Sequence, residues 1–394
     1  MGIPRDLAFD VAEFRRRVDA VRAGMTDRRL DALVVFSPGS INYLSGLDDN
    51  SLSDVTALIL PLDRDPVLVL FWFEAGRAQN TCWFDDVRLY RAPNDPTPGE
   101  GAVAAVVDAV GFMGLGSTKS RIGVEMGPGG LSPAEHQELI ARLGDAHVED
   151  SWPIVEVVRR TKSPAEIAYM RRAAAITDAA IEAGTRALAI GARDTEVGAV
   201  ILETLHRLGS ETSCLGPIVA AGWRSGAPHS SFARQEIRPG DTVFLEVTAQ
   251  VRRYTAPLMR TGILGEPTQE QARAAEAGAA AVQVVIDTAR PGIAAGDVAL
   301  AAGAVIAPLL PGLVFHGNFG YPVGLGYPPT WSERLGFQLR PDNRQVLETG
   351  MTLHLPVSLR KFGEWGICQS HTILITDTGA EALTRAEARL QVIA

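Results

Sequence analysis

Four residues, Ser163-Pro164-Ala165-Glu166, constrain this chain more than any other run of that length. A Ser followed three residues later by Glu satisfies two orphan amides at a helix start, and Pro at the first helical position is already set to helical φ. A helix therefore begins here and carries Ile167, Met170, Ala174, Ile176 and Ile181 toward a core at helical spacing. A length of 394 residues sets a prior of two or three domains. The expected division is 1–155 and 156–394.

The first part alternates helix and strand. Phe14, Val18, Val21 and Met25 recur at helical spacing, with Arg and Asp between them. Asp31–Phe36 reads as a short buried strand, broken by Ser37-Pro38-Gly39, with Ile41–Ser45 following. Thr56–Leu62 and Pro66–Phe73 read as strands joined by the charged turn Asp63-Arg64-Asp65. A helix near Ala102–Phe112, a strand at Arg121–Glu125 and a helix at Ser132–Leu143 complete an α/β domain with a mixed sheet. Pro93–Pro98 and Gly127–Gly130 are loops by composition.

Composition excludes several classes. A net charge of −9 with three lysines, Lys119, Lys162 and Lys361, offers no basic stripe for nucleic acid. No apolar run reaches membrane-spanning length, and the start lacks the basic-then-apolar pattern of a signal peptide. Cys82, Cys214 and Cys368 are isolated, as expected of buried thiols in a reducing cytoplasm, although a nucleophilic Cys368 stays open. The expected location is cytoplasmic.

In the second part, Ala221–Ser230 (AGWRSGAPHS) is a loop presenting Trp223, Arg224 and His229. An imidazole titrates nearest neutral pH and can both take and return a proton. Val243–Val247 and Tyr254–Ile263 read as a hairpin around the polar turn Gln250–Arg253. Glu246 ends the otherwise apolar VFLEV, where a carboxylate is costly unless paired or used. Its pairing options are Arg252, Arg253 or Arg260; its chemical option is nucleophile or base. Tyr254 either donates into a cleft or packs. In Phe315–Arg334, prolines pre-set a loop holding Tyr321, Tyr327, Trp331, Glu333 and Arg334. Trp331 could stack on a small planar or cationic substrate or sit at a rim. Glu333 is a second candidate acid or base, Arg334 or Arg224 a bidentate carboxylate clamp, and His316 a neighbour of the cleft. The glycines of this segment lack the Lys and context of a phosphate loop. His354 and His371 lie on two C-terminal strands, MTLHLPV and SHTILIT. With His229 and His316 they could bind zinc, although their spacing matches no ligand motif.

Residues 159–177 (RRTKSPAEIAYMRRAAAIT) closely resemble the opening of the pita-bread domain in the creatinase–prolidase branch of the Xaa-Pro peptidases. Tyr327–Arg334 (YPPTWSER) and the run from Glu246 to Arg260-Thr261 resemble ectoine hydrolases most. The resemblance implies a two-domain chain: a creatinase-like α/β domain, then a pita-bread α+β domain with a curved antiparallel sheet. It implies a homodimer with the first domain of one subunit over the cleft of the other, where Asn42, Trp72 or Arg77 could add specificity. In the peptidases two Asp, one His and two Glu hold a metal pair. The matching positions here are Glu246, Pro257, Tyr321, Pro356 and Ser370, which cannot hold one.

The expectation is a hydrolase of a C–N bond in a small amidine or cyclic amide, with no metal and no cofactor. Glu246 is its nucleophile or base and His229 its acid–base. Tyr254, Tyr321, Tyr327, Trp331, Glu333, Arg334, His371, Trp223, Arg224 and His316 are its substrate-binding candidates. The rivals are a creatine-type amidinohydrolase, a Xaa-Pro peptidase, and an inactive binding protein. Met259 opposes the first, because creatinase carries a substrate-binding Glu there.

Overall fold

The computed structural model describes residues 4–49, 54–91, 101–126 and 130–394. The expected loop 93–98, and all but one residue of the loop 127–130, lie outside them. The chain divides into two compact units, residues 1–159 and 160–394. The division falls inside the helix Ile154–Arg160, so the expected limit at 155/156 lies one turn upstream of it.

In the first unit a six-stranded mixed sheet forms the centre. Ala32–Val35 lies between Ala57–Pro61, antiparallel, and Arg121–Val124, parallel. Val67–Phe71 continues one side, and the strands Val87–Tyr90 and His147–Asp150, which lack a strong apolar pattern, close the two edges. The helix Val11–Asp27 buries the four apolar residues its spacing selects, together with Arg17. Pro38–Ser45 is a helix rather than a continuation of the broken strand, since Pro38 sits in its first turn.

The second unit opens as the sequence requires. Ser163 Oγ accepts from Glu166 N at 3.3 Å, and Glu166 Oε2 accepts from Ser163 N at 2.8 Å. The helix Pro164–Arg186 buries Met170, Ala174 and Ile181, but Ile167 and Ile176 stay half-buried while Ala173 and Thr177 turn inward. Strands pair in an antiparallel seven-stranded sheet, a four-stranded sheet and a hairpin. Among these pairings, Gln391–Ile393 runs parallel to Leu258–Leu264. Helices Gln269–Thr288 and Ala295–Ile306 share a core with the strands from Thr352 to Ile375.

The expected strand Tyr254–Ile263 breaks in two. Pro257 has no N–H to give a ladder. Tyr254–Thr255 joins Gln250–Val251 in the larger sheet, and Leu258–Leu264 pairs with Thr242–Val247 in the smaller one. Arg252 and Arg253 make the turn with positive φ, 49° and 69°, and their amides are capped by Glu211.

Candidate active site

Register fixes the floor of the site. Glu246 on Thr242–Val247 pairs with Met259 on one side and Ile218 on the other. Phe244 and Glu246 alternate onto one face, which Ile218, Ala220, Met259 and Cys368 cover with apolar surface. Glu246 is 3% exposed, and among the described residues its carboxyl accepts no hydrogen bond and joins no ion pair. Burial drives its pKa up to about 8, opposed by the charge of Arg360. None of Arg252, Arg253 or Arg260 pairs with it. Arg260 instead donates to the carbonyls of Met259, Ser370 and Ala386.

Arg360 is the cation that reaches Glu246, and the sequence reading did not single it out. Its guanidinium stacks 4.9 Å from the Phe244 ring centroid, and it donates to Ser358 Oγ at 2.6 Å and to Ser225 O at 2.5 Å. The available signal was alternation: Ser358 and Arg360 share one face of the strand Val357–Lys361, opposite its apolar residues. Ser358 Oγ lies 3.1 Å from Cys368 Sγ. Burial raises the Cys368 pKa, so this thiol is poorly suited to be a nucleophile.

Tyr321 begins the strand Tyr321–Tyr327 and faces His354 across the ladder. The chain turns at Pro328-Pro329 and runs back as Thr330–Ser332, which returns Trp331 to Tyr321. Trp331 is 4% exposed, with Nε1 donating to Tyr321 Oη at 2.9 Å, so it is neither a rim residue nor an open stacking platform. His354 lies between Tyr321 Oη, 2.8 Å from Nδ1, and Ser370 Oγ, 2.9 Å from Nε2. Burial, then the charges of His371, His316 and Arg260, lower its pKa to about 3. Burial raises that of Tyr321, and the charge of Glu246 raises it further.

His229 stands at the edge. It is exposed, in a left-handed backbone conformation with φ of 53°. Its charge reaches His316, as does that of Arg360; with desolvation first, both lower the His316 pKa. His316 is exposed as a residue, with its ring edge-on to Phe315. Trp223 is 56% exposed and Arg224 donates to Ser231 O at 2.6 Å. The loop Gly222–Gly226 packs tightly on the hairpin Val357–Lys361/Trp365–Gln369; a Cβ at Gly366 would lie 2.1 Å from Ser225 O.

Four expected site residues have other partners. Tyr254 is fully buried and donates to Glu166 Oε1 at 2.8 Å, toward the capping box rather than a cleft. The Glu333 side chain is 1% exposed and pairs with Lys162 Nζ at 2.5 Å, which leaves it poorly placed as an acid or base. Tyr327 packs under the Arg253 guanidinium at 4.7 Å, and His371 Nδ1 meets Thr384 Oγ1 at 2.9 Å. Arg334 is exposed, with φ of 51°.

The four histidines do not form a metal centre: the described residues hold no group of three or more His, Cys, Asp or Glu placed to share an ion. Of the expected ligand positions, Glu246 alone carries a carboxylate, and Tyr321 and Ser370 are tied together through His354. Those donors do not fit a metal pair.

Two units of this kind, the second with its strands paired around a buried acid, define a two-domain creatinase-type pita-bread protein. Residues 17–161 match the creatinase/prolidase N-terminal domain, and residues 168–377 match metallopeptidase family M24. The chain belongs to metallopeptidase family M24, a family of hydrolases. It is 30% identical to ectoine hydrolase of Halomonas elongata over 397 residues, covering 96% of each chain. It is 29% identical to a Xaa-Pro dipeptidase of Pyrococcus horikoshii over 239 residues, covering 60% of this chain and 66% of that one. A dipeptidase structure from Pyrococcus horikoshii OT3 superposes with a TM-score of 0.81 at 22% identity, covering 96% of this chain and 100% of that one. Among the described residues no helix is long and apolar enough to cross a membrane.

Proposed function

We propose that this chain hydrolyses a C–N bond in a small amidine or cyclic amide, in the manner of ectoine hydrolase, with side chains in place of a metal pair. One observation carries the reading: Glu246 is a buried carboxyl that no side chain of the described residues neutralises, set in apolar surroundings. Such a group costs stability and is retained where a ligand or a reaction uses it.

In this mechanism Glu246 must be ionised to act, and an electron-poor amidine arriving beside it favours that ionisation. A Glu246 oxygen adds to the amidine or amide carbon. The C–N bond then breaks, and the leaving nitrogen takes a proton from His229. Water attacks the resulting acyl carbon, its proton returns to His229, and the Glu246 carboxylate is regenerated. In the non-covalent variant Glu246 instead deprotonates the water that attacks. Arg360 limits the cost of the anion, and a positioned acid–base group is worth about a hundred- to ten-thousand-fold in rate. A cytoplasmic homodimer belongs to the same reading, and sedimentation of the purified chain would check the dimer.

A second reading, Xaa-Pro dipeptidase, is favoured by the likeness to the Pyrococcus horikoshii enzyme and opposed by the donor set around Glu246. Incubation with ectoine, creatine and a Xaa-Pro dipeptide with manganese separates the readings. Ring opening of ectoine supports the proposal; urea from creatine or proline from the dipeptide replaces it. Mass spectrometry of samples quenched during turnover should show an adduct on the Glu246 peptide; its absence in a single turnover leaves only water activation.

A further inference from the structure

Behind Tyr321 the hydrogen bonds run in a single direction and leave one proton over. Trp331 Nε1 lies 2.9 Å from Tyr321 Oη and can only donate to it. At the other end Met259 N donates to Ser370 Oγ at 2.7 Å. Between them His354 holds Tyr321 Oη at 2.8 Å through Nδ1 and Ser370 Oγ at 2.9 Å through Nε2. His354 is fully buried and its pKa is pushed down to about 3, so the ring is neutral and carries one proton.

Two tautomers follow. With the proton on Nε2, Ser370 Oγ receives two donors, and its own hydrogen lies fully buried with no acceptor among the described residues. That arrangement strands a buried donor, which is costly. With the proton on Nδ1, the Ser370 hydroxyl donates to Nε2, and Nδ1–H and the Trp331 indole both donate to Tyr321 Oη. Every group in the chain is then paired except the phenol hydrogen. Tyr321 is the less buried of the two residues, intermediate where Ser370 is fully buried, and the charge of Glu246 acts on it.

We propose that Tyr321 is the hydrogen-bond donor of the catalytic cleft, its lone pairs taken by Trp331 and by the Nδ1–H tautomer of His354 so that its O–H is aimed at the substrate. The inference rests on the hydrolase reading for its reaction, but not for its tautomer. As an oxygen of Glu246, or of the water it activates, adds to the carbon, the π electrons of the C=O or C=N bond move onto its heteroatom. That atom accepts the hydrogen bond, and the phenol keeps its proton. Trp331 and His354 are positioning residues, and the ligand group recognised is a carbonyl oxygen or an imine-type nitrogen.

Nitrogen NMR of the full chain with ¹⁵N-labelled histidine tests the tautomer, with His354→Asn identifying the signal. A neutral Nδ1–H imidazole for His354 is expected, and Nε2–H or a charged ring overturns the proposal. Kinetics with ectoine as probe test the role. Tyr321→Phe should lower kcat about 100- to 1000-fold with little change in KM, and an unchanged kcat overturns it. A wild-type chain that leaves ectoine intact counts against that substrate, while the histidine tautomer still decides the inference.

Discussion

Glu246 and Glu333 are buried in the same unit, and the fold treats them in opposite ways. Glu333 faces Lys162 at 2.5 Å, with both side chains 1% exposed. Glu246 has no such partner, apolar neighbours, and a guanidinium that reaches it by charge alone. A paired buried acid satisfies itself, and removing one member is what costs stability. An unpaired buried acid costs stability while it is present, so its use lies in what binds to it. The contrast separates the carboxyl paired within the fold from the carboxyl we propose to be catalytic.

The largest expected effect follows from exchanging Glu246. Glu246→Gln should lower turnover about 100- to 10,000-fold and raise thermal stability at neutral pH, because wild type must there hold a proton that its unfolded chain releases. Glu333→Gln should do the reverse: a loss of about 3–5 kcal/mol in denaturant titrations, since Lys162 is left charged and buried. Lys162→Met with Glu333→Leu should recover much of that loss. Gly324→Ala attacks the same pair by another route, because its Cβ would lie 2.6 Å from Lys162 Cε and 2.7 Å from Glu333 Oε2. Turnover lost equally in Glu333→Gln and Glu246→Gln, at full folding, would erase the distinction.

A smaller effect is the pH dependence. Folded Glu246 keeps its proton up to about pH 8, whereas an unfolded chain releases it near about 4.3. Between those values the native state binds more protons than the unfolded one. The stability Glu246 contributes is therefore full below the lower value and lost as pH rises through the upper, with a slope of at most about 1.4 kcal/mol per pH unit. Glu156 in the first unit, pushed up to about 7 by burial and then by Glu125, adds a slope of the same sign. The difference between wild type and Glu246→Gln isolates the Glu246 share. Turnover should rise with pH toward 8 for the same reason. The smallest effect is Tyr254→Phe, which removes the bond to Glu166 and should cost about 1 kcal/mol without changing kcat.

The local grammar of the chain was legible where one segment decides its own structure. The capping box at Ser163, the amphipathic stripe of Val11–Asp27 and the strand carrying Glu246 are set within a few residues. Partner choice was not legible, because it is made across the fold. Lys162 and Glu333 are 171 positions apart, and Tyr254 and Glu166 are 88 apart. The bridge from Tyr321 through His354 to Ser370 needs three segments in register, and Arg360 becomes a neighbour of Glu246 only once the hairpin folds. Tyr254 and Glu333 were read as cleft residues because polar groups in apolar runs look alike until their partners are known.

Whether a buried carboxyl acts here without a metal pair is measured most directly by ectoine turnover of chelator-treated protein whose metal content is determined on the same sample. Full activity at metal levels far below one per chain, abolished by Glu246→Gln, is the predicted result. Activity that appears only when manganese or zinc is restored stoichiometrically, or that survives in Glu246→Gln, would contradict it.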